Sequence, residues 1–266
     1  PMNTNRRKFD DKPKFGNDKE LLDLLRSIDG SSYGAYKRAI GQWDYGSFKV
    51  ILERVQADPY APPSSLRIVA DPLKMGLPPE ALSTRDQRIA TGDFLIRAFG
   101  RALRAEDRYS NVSIVGTGQE ILERSAAQLG PERVELRVQV QLPARGRTVQ
   151  GHRAATIFDV ELPDAVGETF DFWSPDARDY LADLLAHVRA YEDYVALRGA
   201  LKENNWVSFV GNGAILARRS GISELPMEDA VPFVSPPSLQ QAVDLPHAGT
   251  ITGMAVPPGI TLIVGG

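Results

Sequence analysis

Gly259-Ile260-Thr261-Leu262-Ile263-Val264-Gly265-Gly266 is a short apolar run, rich in β-branched residues, that ends on paired glycines. That is how the strand leading into a phosphate-binding loop reads. The rest of such a loop is G-x-x-x-x-G-K-[ST], whose lysine reaches the β/γ-phosphates and whose hydroxyl holds Mg²⁺. Neither follows in this sequence. The run is therefore read as the first part of a nucleotide-binding unit, met before its lysine. The alternative reading is an ordinary edge strand that ends in glycines.

Working outward from this run, the composition narrows the class. With 266 residues, 42% hydrophobic and 24% charged, the chain has the balance of a globular protein of one large or two ordinary domains. A net charge of −3 argues against a globally basic nucleic-acid binder but leaves room for a local basic surface. There are no cysteines and only three histidines, so disulfides, thiolate chemistry and a Cys/His metal centre are not expected. No run has membrane-spanning length, and the first residues lack the apolar core of a signal peptide. A cytoplasmic protein without membrane contact is expected.

The pattern of elements is mixed. Residues 1–17 read as a flexible lead-in. Asn17 is a helix cap for Asp18–Ile28, and Ala35–Ile40 is one or two helical turns. Strands are predicted at Phe48–Val55, Leu66–Ala70, Val112–Val115 and Val134–Leu142. Ser83 or Thr84 caps a helix from Arg85 to about Arg108. Further helices are predicted at Gln119–Leu129, Gly151–Val160 and Pro175–Lys202, the last with Ser174 as its cap and a break near Tyr191–Tyr194. After residue 204 short strands and prolines dominate, with strands at Trp206–Val210, Ala214–Arg218, Thr250–Val256 and Thr261–Val264. The reading is α+β: a mixed domain over 18–204, then a β-rich, incomplete subdomain over 205–266.

Three segments carry candidate chemistry. At 100° per residue, Arg97, Arg101, Arg104 and Arg108 fall on one helix stripe, and an arginine row can follow a phosphate backbone; a solvated helix face is the alternative. Leu142–Arg153 holds Arg145, Arg147, His152 and Arg153, and no acidic residue occurs from Leu136 to Phe158. There, Gly151 opens a helix whose free N–H groups favour an anion, so the loop is read either as a phosphate clamp or as a basic turn balancing nearby acids. Tyr33-Gly34-Ala35-Tyr36-Lys37-Arg38 interleaves rings with cations, the mix that stacks bases and neutralises phosphates; the alternative is a buried tyrosine beside solvated cations. Asp58, Asp93, Glu120 and Glu123 form no recognisable acid–base pair, and Gly116-Thr117-Gly118-Gln119 is too short for a dinucleotide fingerprint.

Several stretches, taken in order, resemble the predicted ATPases of the ABC class, a bacterial family whose relatives include a trypanosome mitochondrial RNA-binding-complex ATPase. The matching stretches are Leu25–Gly30 with Tyr33–Lys37, Val55–Ala61, Asp93–Leu95, Gly118–Arg124, Leu142–Arg147, Gly213–Leu216, Val231–Pro236 and Thr252–Gly266. The resemblance implies an α+β accessory domain followed by the opening β-rich part of an ABC-type nucleotide-binding domain. It implies ATP and Mg²⁺ in a longer parent ATPase, with Gly265 and Gly266 leading into the Walker A loop and Phe233 as a candidate adenine-stacking ring. Without that lysine, this stretch is expected neither to bind the cofactors nor to catalyse. RNA is the nucleic acid that the relative favours, with Tyr33, Tyr36, Lys37, Arg97, Arg101, Arg104, Arg145, Arg147 and Arg153 as candidate contacts. The other expectation is an interaction module that docks the rest of the ATPase polypeptide or forms a homodimer.

Overall fold

In the first turn of the first helix, Asn17 and Glu20 satisfy each other. The Glu20 N–H donates to Asn17 Oδ1 at 3.0 Å and the Asn17 N–H to Glu20 Oε2 at 2.8 Å, a complete capping box. The computed structural model describes residues 14–104, 110–262 and 264. It divides into two units, one of residues 1–78, 92–116 and 123–178, the other of 79–91, 117–122 and 179–266.

In the first unit, β1 (Lys14–Asn17) leads into α1 (Asp18–Ser27), whose Leu21, Leu22 and Leu25 are buried. A 3-10 turn over Tyr33–Ala39 follows, then β2 (Gly41–Asp44), β3 (Phe48–Arg54), β4 (Ser64–Ala70) and the short α2 (Pro72–Met75). α3 (Arg85–Ala102), whose residues 85–91 count with the second unit and 92–102 with the first, starts on the reciprocal Thr84–Gln87 cap. After it come β5 (Val112–Ser113), β6 (Ala127–Leu129), β7 (Val134–Val140) and the small hairpin β8 (Ala144–Arg145) and β9 (Thr148–Val149). α4 (Gly151–Thr156) passes through a π turn, Ile157–Glu161, into α5 (Leu162–Phe170). Pro163 has no N–H to offer the Asp159 carbonyl, which accounts for the wider helical register there.

The strands form one sheet in the order β1-β2-β3-β4-β7-β5, with β6 also on β7. β1 is parallel to β2 and the rest are antiparallel. Val50, Leu52, Leu66, Ile68, Leu136 and Val138 alternate onto the core face. Their neighbours Glu53, Arg67, Glu135 and Arg137 take the other face by the same period of two.

The second unit is built on α6 (Arg178–Glu203) and a sheet of β10 (Ser208–Gly211), β13 (Gln240–Leu245) and β14 (Gly249–Val256), in the order β10-β14-β13. A separate hairpin joins β11 (Arg218–Ser220) to β12 (Ser223–Pro226). The β13–β14 turn is tied to α6: the His247 and Ala248 N–H groups donate to the two Asp193 oxygens at 2.8 and 2.9 Å. His247 Nε2 lies 2.7 Å from Glu192 Oε2, and Gln87 Nε2 donates to Glu192 Oε1 at 3.0 Å.

The α+β class holds, with several local corrections. Residues 119–129 are not helical; Ala127–Leu129 form β6 instead. Ala127 and Leu129 close on Gly92 of α3, where a Cβ would stand 3.2 Å from the Ala127 Cβ, so packing overrides the helix-like spacing. Lys14–Asn17, read as irregular, pair with β2, where Gly41 leaves room for the Lys14 backbone. α6 runs unbroken through Tyr191–Tyr194. Ser174 makes no side-chain cap; Asp171 Oδ1 accepts the Trp173 and Ser174 N–H groups instead. The described part of Thr261–Val264 is not a strand, and Ile260, Leu262 and Val264 are exposed. Strand propensity is expressed only where a neighbour supplies the ladder. Arg108, Gly265 and Gly266 lie outside the described residues.

Candidate nucleic-acid interface

The 3-10 turn and the β8–β9 hairpin are stitched together by their main chains. The Tyr33 N–H donates to the Arg147 carbonyl at 3.0 Å, the Val149 N–H to Ser31 O at 2.9 Å, and the Gly30 N–H to Val149 O at 3.0 Å. Ser32 bridges Thr148. Two tyrosines fasten the same contact from inside: Tyr33 Oη donates to Leu142 O at 3.0 Å and Tyr36 Oη to Pro143 O at 2.7 Å. Their rings meet edge to face at 5.2 Å. Burial, reinforced for Tyr33 by the Asp58 charge, pushes both hydroxyls above the ordinary tyrosine value, so they remain donors at neutral pH.

This overturns one expectation. Tyr33 is 4% exposed and Tyr36 not at all, so neither ring presents a face to a base. Their hydroxyls find carbonyls more than a hundred residues away in sequence. What the tyrosines do is hold two distant basic segments against each other.

Lys37 and Arg38 are exposed on the turn, Arg145 and Arg147 on the hairpin, and His152 and Arg153 on the first turn of α4. Gly146, at φ +60°, makes the tight hairpin turn that separates the two hairpin arginines. Among the described residues, none of Lys37, Arg38, Arg145, Arg147 and Arg153 has an ion-pair partner. The acids whose charge acts on the two tyrosines are Asp58, for Tyr33, and Asp29, for Tyr36. Asp29 is engaged by the Gly151 N–H at 2.6 Å. The helix start read from sequence as an anion site is thus filled from within, by Asp29 and the end of α1.

The arginine stripe of α3 divides. Arg97 Nε donates to Asp93 Oδ2 at 2.6 Å, and Arg124 pairs with the same buried carboxylate from the segment before β6. Arg97 is therefore part of a structural ion triad. Arg101 and Arg104 are exposed, with the Arg104 guanidinium lying along Gly100. Phe233 is half-buried, its main chain paired with Gly213 and Ala214.

Residues 18–171 match the family described as the N-terminal region of ATPases of the ABC class, and residues 181–266 match the P-loop domain of ABC ATPases. The chain belongs to the ATPases of the ABC class. A comparison with curated proteins gives no match. In ABC-class ATPases the P-loop domain binds a nucleotide with Mg²⁺. The sequence contains no Gly-Lys-[Ser/Thr], and among the described residues no three His, Asp or Glu side chains gather as a metal site. No helix among the described residues is long and apolar enough to cross a membrane.

One arrangement escaped the reading of the sequence. Arg67, Arg133 and Arg137 surround Glu135 on the sheet's second face. Its only sequence signal is charge at alternate positions of two strands whose pairing is not visible beforehand.

Proposed function

We propose that residues 18–171 are a nucleic-acid-binding accessory region, with RNA as the ligand, of a cytoplasmic ABC-class ATPase. The observation that supports this is the joining of Tyr33–Arg38 to Leu142–Arg153, which gathers five exposed cations that have no ion-pair partner among the described residues. Lys37, Arg145, Arg147 and Arg153 contact backbone phosphates, and Arg38 joins them. With the Tyr33 and Tyr36 rings buried, the contacts are to phosphate and sugar rather than to bases stacked on those rings. RNA is chosen over DNA on the family's trypanosome relative alone.

The test is fluorescence anisotropy with labelled single- and double-stranded RNA and DNA across a salt series, beside an Arg145→Glu/Arg147→Glu variant. Salt-dependent binding that the variant loses supports the reading. Binding that persists in the variant, or that ignores salt, removes its mechanism.

A second reading has its own observation. In the second unit Leu216, Ile222, Val231 and Val234 are exposed apolar side chains, and such a surface suits docking to further ATPase polypeptide or to a second copy. Light scattering across a concentration series, with and without a separately produced ATPase lobe, distinguishes this reading. A monomer that ignores the lobe counts against it.

A further inference from the structure

β4 and β7 pair so that Arg67 stands directly across from Arg137. Like charges at directly opposed positions repel, so this placement needs compensation. Glu135 supplies part of it. Its Oε2 accepts from Arg67 Nη1 at 3.1 Å and from Arg133, and its Oε1 accepts from Arg137 Nε at 3.1 Å. The Glu135 side chain is only 4% exposed. Burial alone would raise its carboxyl, but the hydrogen bonds from Arg137, Arg67 and Arg133 outweigh that and hold it below the ordinary glutamate value. Arg67 Nε also lies 2.7 Å from Glu53 Oε1 as an ion pair, off the hydrogen-bonding direction.

Three guanidinium groups thus meet two carboxylates, and their donors are far from used up. Each guanidinium has five N–H donors. Arg137 commits only Nε, and Arg133 only one terminal nitrogen, to partners among the described residues. Both side chains are about half exposed, at 46% and 50%. Together with Arg67 and Gly130 they line a concavity of about 400 Å³. Positive charge is in excess, the forks are held by a buried carboxylate, and their unused edges border open space. Planar forks with free paired N–H groups match the oxygens of a phosphate group.

We propose that this concavity is a phosphate-binding site separate from the β8–β9 hairpin, with Arg137 and Arg133 as the contacting residues and Arg67 as a positioning residue. Glu135 sets the fork orientation. The group bound is a phosphate, either free or terminal on a small molecule, or one carried in a nucleic-acid backbone.

The experiment follows the arginine Nε–Hε resonances of the whole chain by NMR while inorganic phosphate is added, in parallel with anisotropy of a labelled single-stranded RNA. Arg137→Gln and, separately, Arg133→Gln are compared with Arg101→Gln as a control. Expected is a saturable shift at the Arg133 and Arg137 resonances, with midpoint near 1 mM. Arg137→Gln should weaken it about tenfold, the worth of one charge-assisted hydrogen bond. Arg145→Glu/Arg147→Glu should leave it in place, which separates this site from the hairpin surface. RNA binding that Arg137→Gln weakens and phosphate competes away identifies a backbone phosphate as the ligand. A phosphate response with RNA unaffected identifies a free or terminal phosphate. A response that does not saturate, or that is equal in both arginine variants and the control, overturns the site.

Discussion

The Gly151 N–H donates to Asp29 Oδ1 at 2.6 Å, and the Gly151 α-carbon sits so close to α1 that a Cβ would stand 2.1 Å from the Leu25 carbonyl oxygen. Two consequences follow from this one contact. The start of α4 is closed to an outside anion, because an aspartate already occupies it. It also locks the C-terminal end of α1 onto the segment that carries His152 and Arg153, and so orients one edge of the basic surface.

Gly151→Ala is accordingly predicted to be among the most damaging small substitutions in the first unit. The obstacle is a backbone carbonyl, which cannot swing aside like a side chain. Separation of α1 from α4 should cost about 3 kcal/mol, read as a lowered urea midpoint with an unchanged slope. A variant as stable as the parent would show that α1 and α4 are not held in this contact.

Arg97 gives a prediction that separates structure from binding. Asp93 has no exposed side-chain surface and is held by Arg97 and Arg124. Arg124 stays on Asp93 when Arg97 is removed, so the loss is that of one charge-assisted hydrogen bond, about 1.5 to 3 kcal/mol. Arg97→Ala should therefore lower stability sharply, while RNA affinity per folded molecule, measured at a temperature where the variant is folded, stays at the parent's value. Loss of RNA affinity without loss of stability would return Arg97 to the binding surface.

These contrasts show which parts were legible beforehand. The caps at Asn17 and Thr84 were, because all their partners lie within three residues. The strand alternation at Val50 to Leu52, Leu66 to Ile68 and Val134 to Val140 was legible because it is strictly local. The spacing of Ile121, Leu122, Ala126 and Leu129 misled, since it fits a helix and only the approach of Ala127 and Leu129 to Gly92 decides otherwise. In the candidate interface, the acid-free run around Arg145 and Arg147 pointed to a basic surface directly. The role of Tyr33 and Tyr36 did not show, because their acceptors, Leu142 and Pro143, are more than a hundred residues distant. Arg97 had its partner at i−4 in plain sight, but the decisive second arginine, Arg124, comes from a segment whose course the sequence misstates.

Glu135 makes the arginine cluster sensitive to acid. Its carboxyl is held below the value of 4.5 that it has in an unfolded chain. A depressed carboxyl stabilises the fold fully above that unfolded value, and the contribution is lost as pH falls through the folded one. The stability gap between the parent and Glu135→Gln should thus be widest near pH 7 and shrink progressively below 4.5. Urea unfolding at four pH values checks this; a gap that is constant with pH would mean that Glu135 acts by packing alone.

The last prediction concerns how the basic surface counts phosphates. For single-stranded nucleic acid, each neutralised phosphate contributes about 0.7 to the slope of log affinity against log salt. If Lys37, Arg38, Arg145, Arg147 and Arg153 act together, the parent's slope should be about −3.5. Lys37→Ala and Arg153→Ala should each reduce its magnitude by about 0.7, and the two reductions should add. Both side chains are exposed and neither has an ion-pair partner among the described residues, so their removal should leave the urea midpoint unchanged. Arg101→Ala is the informative control, since Arg101 lies on α3 rather than on the turn, hairpin and helix start that form the patch. A slope that falls as much for Arg101→Ala as for Lys37→Ala would place the polymer along α3, and the stripe rather than the hairpin would be its track.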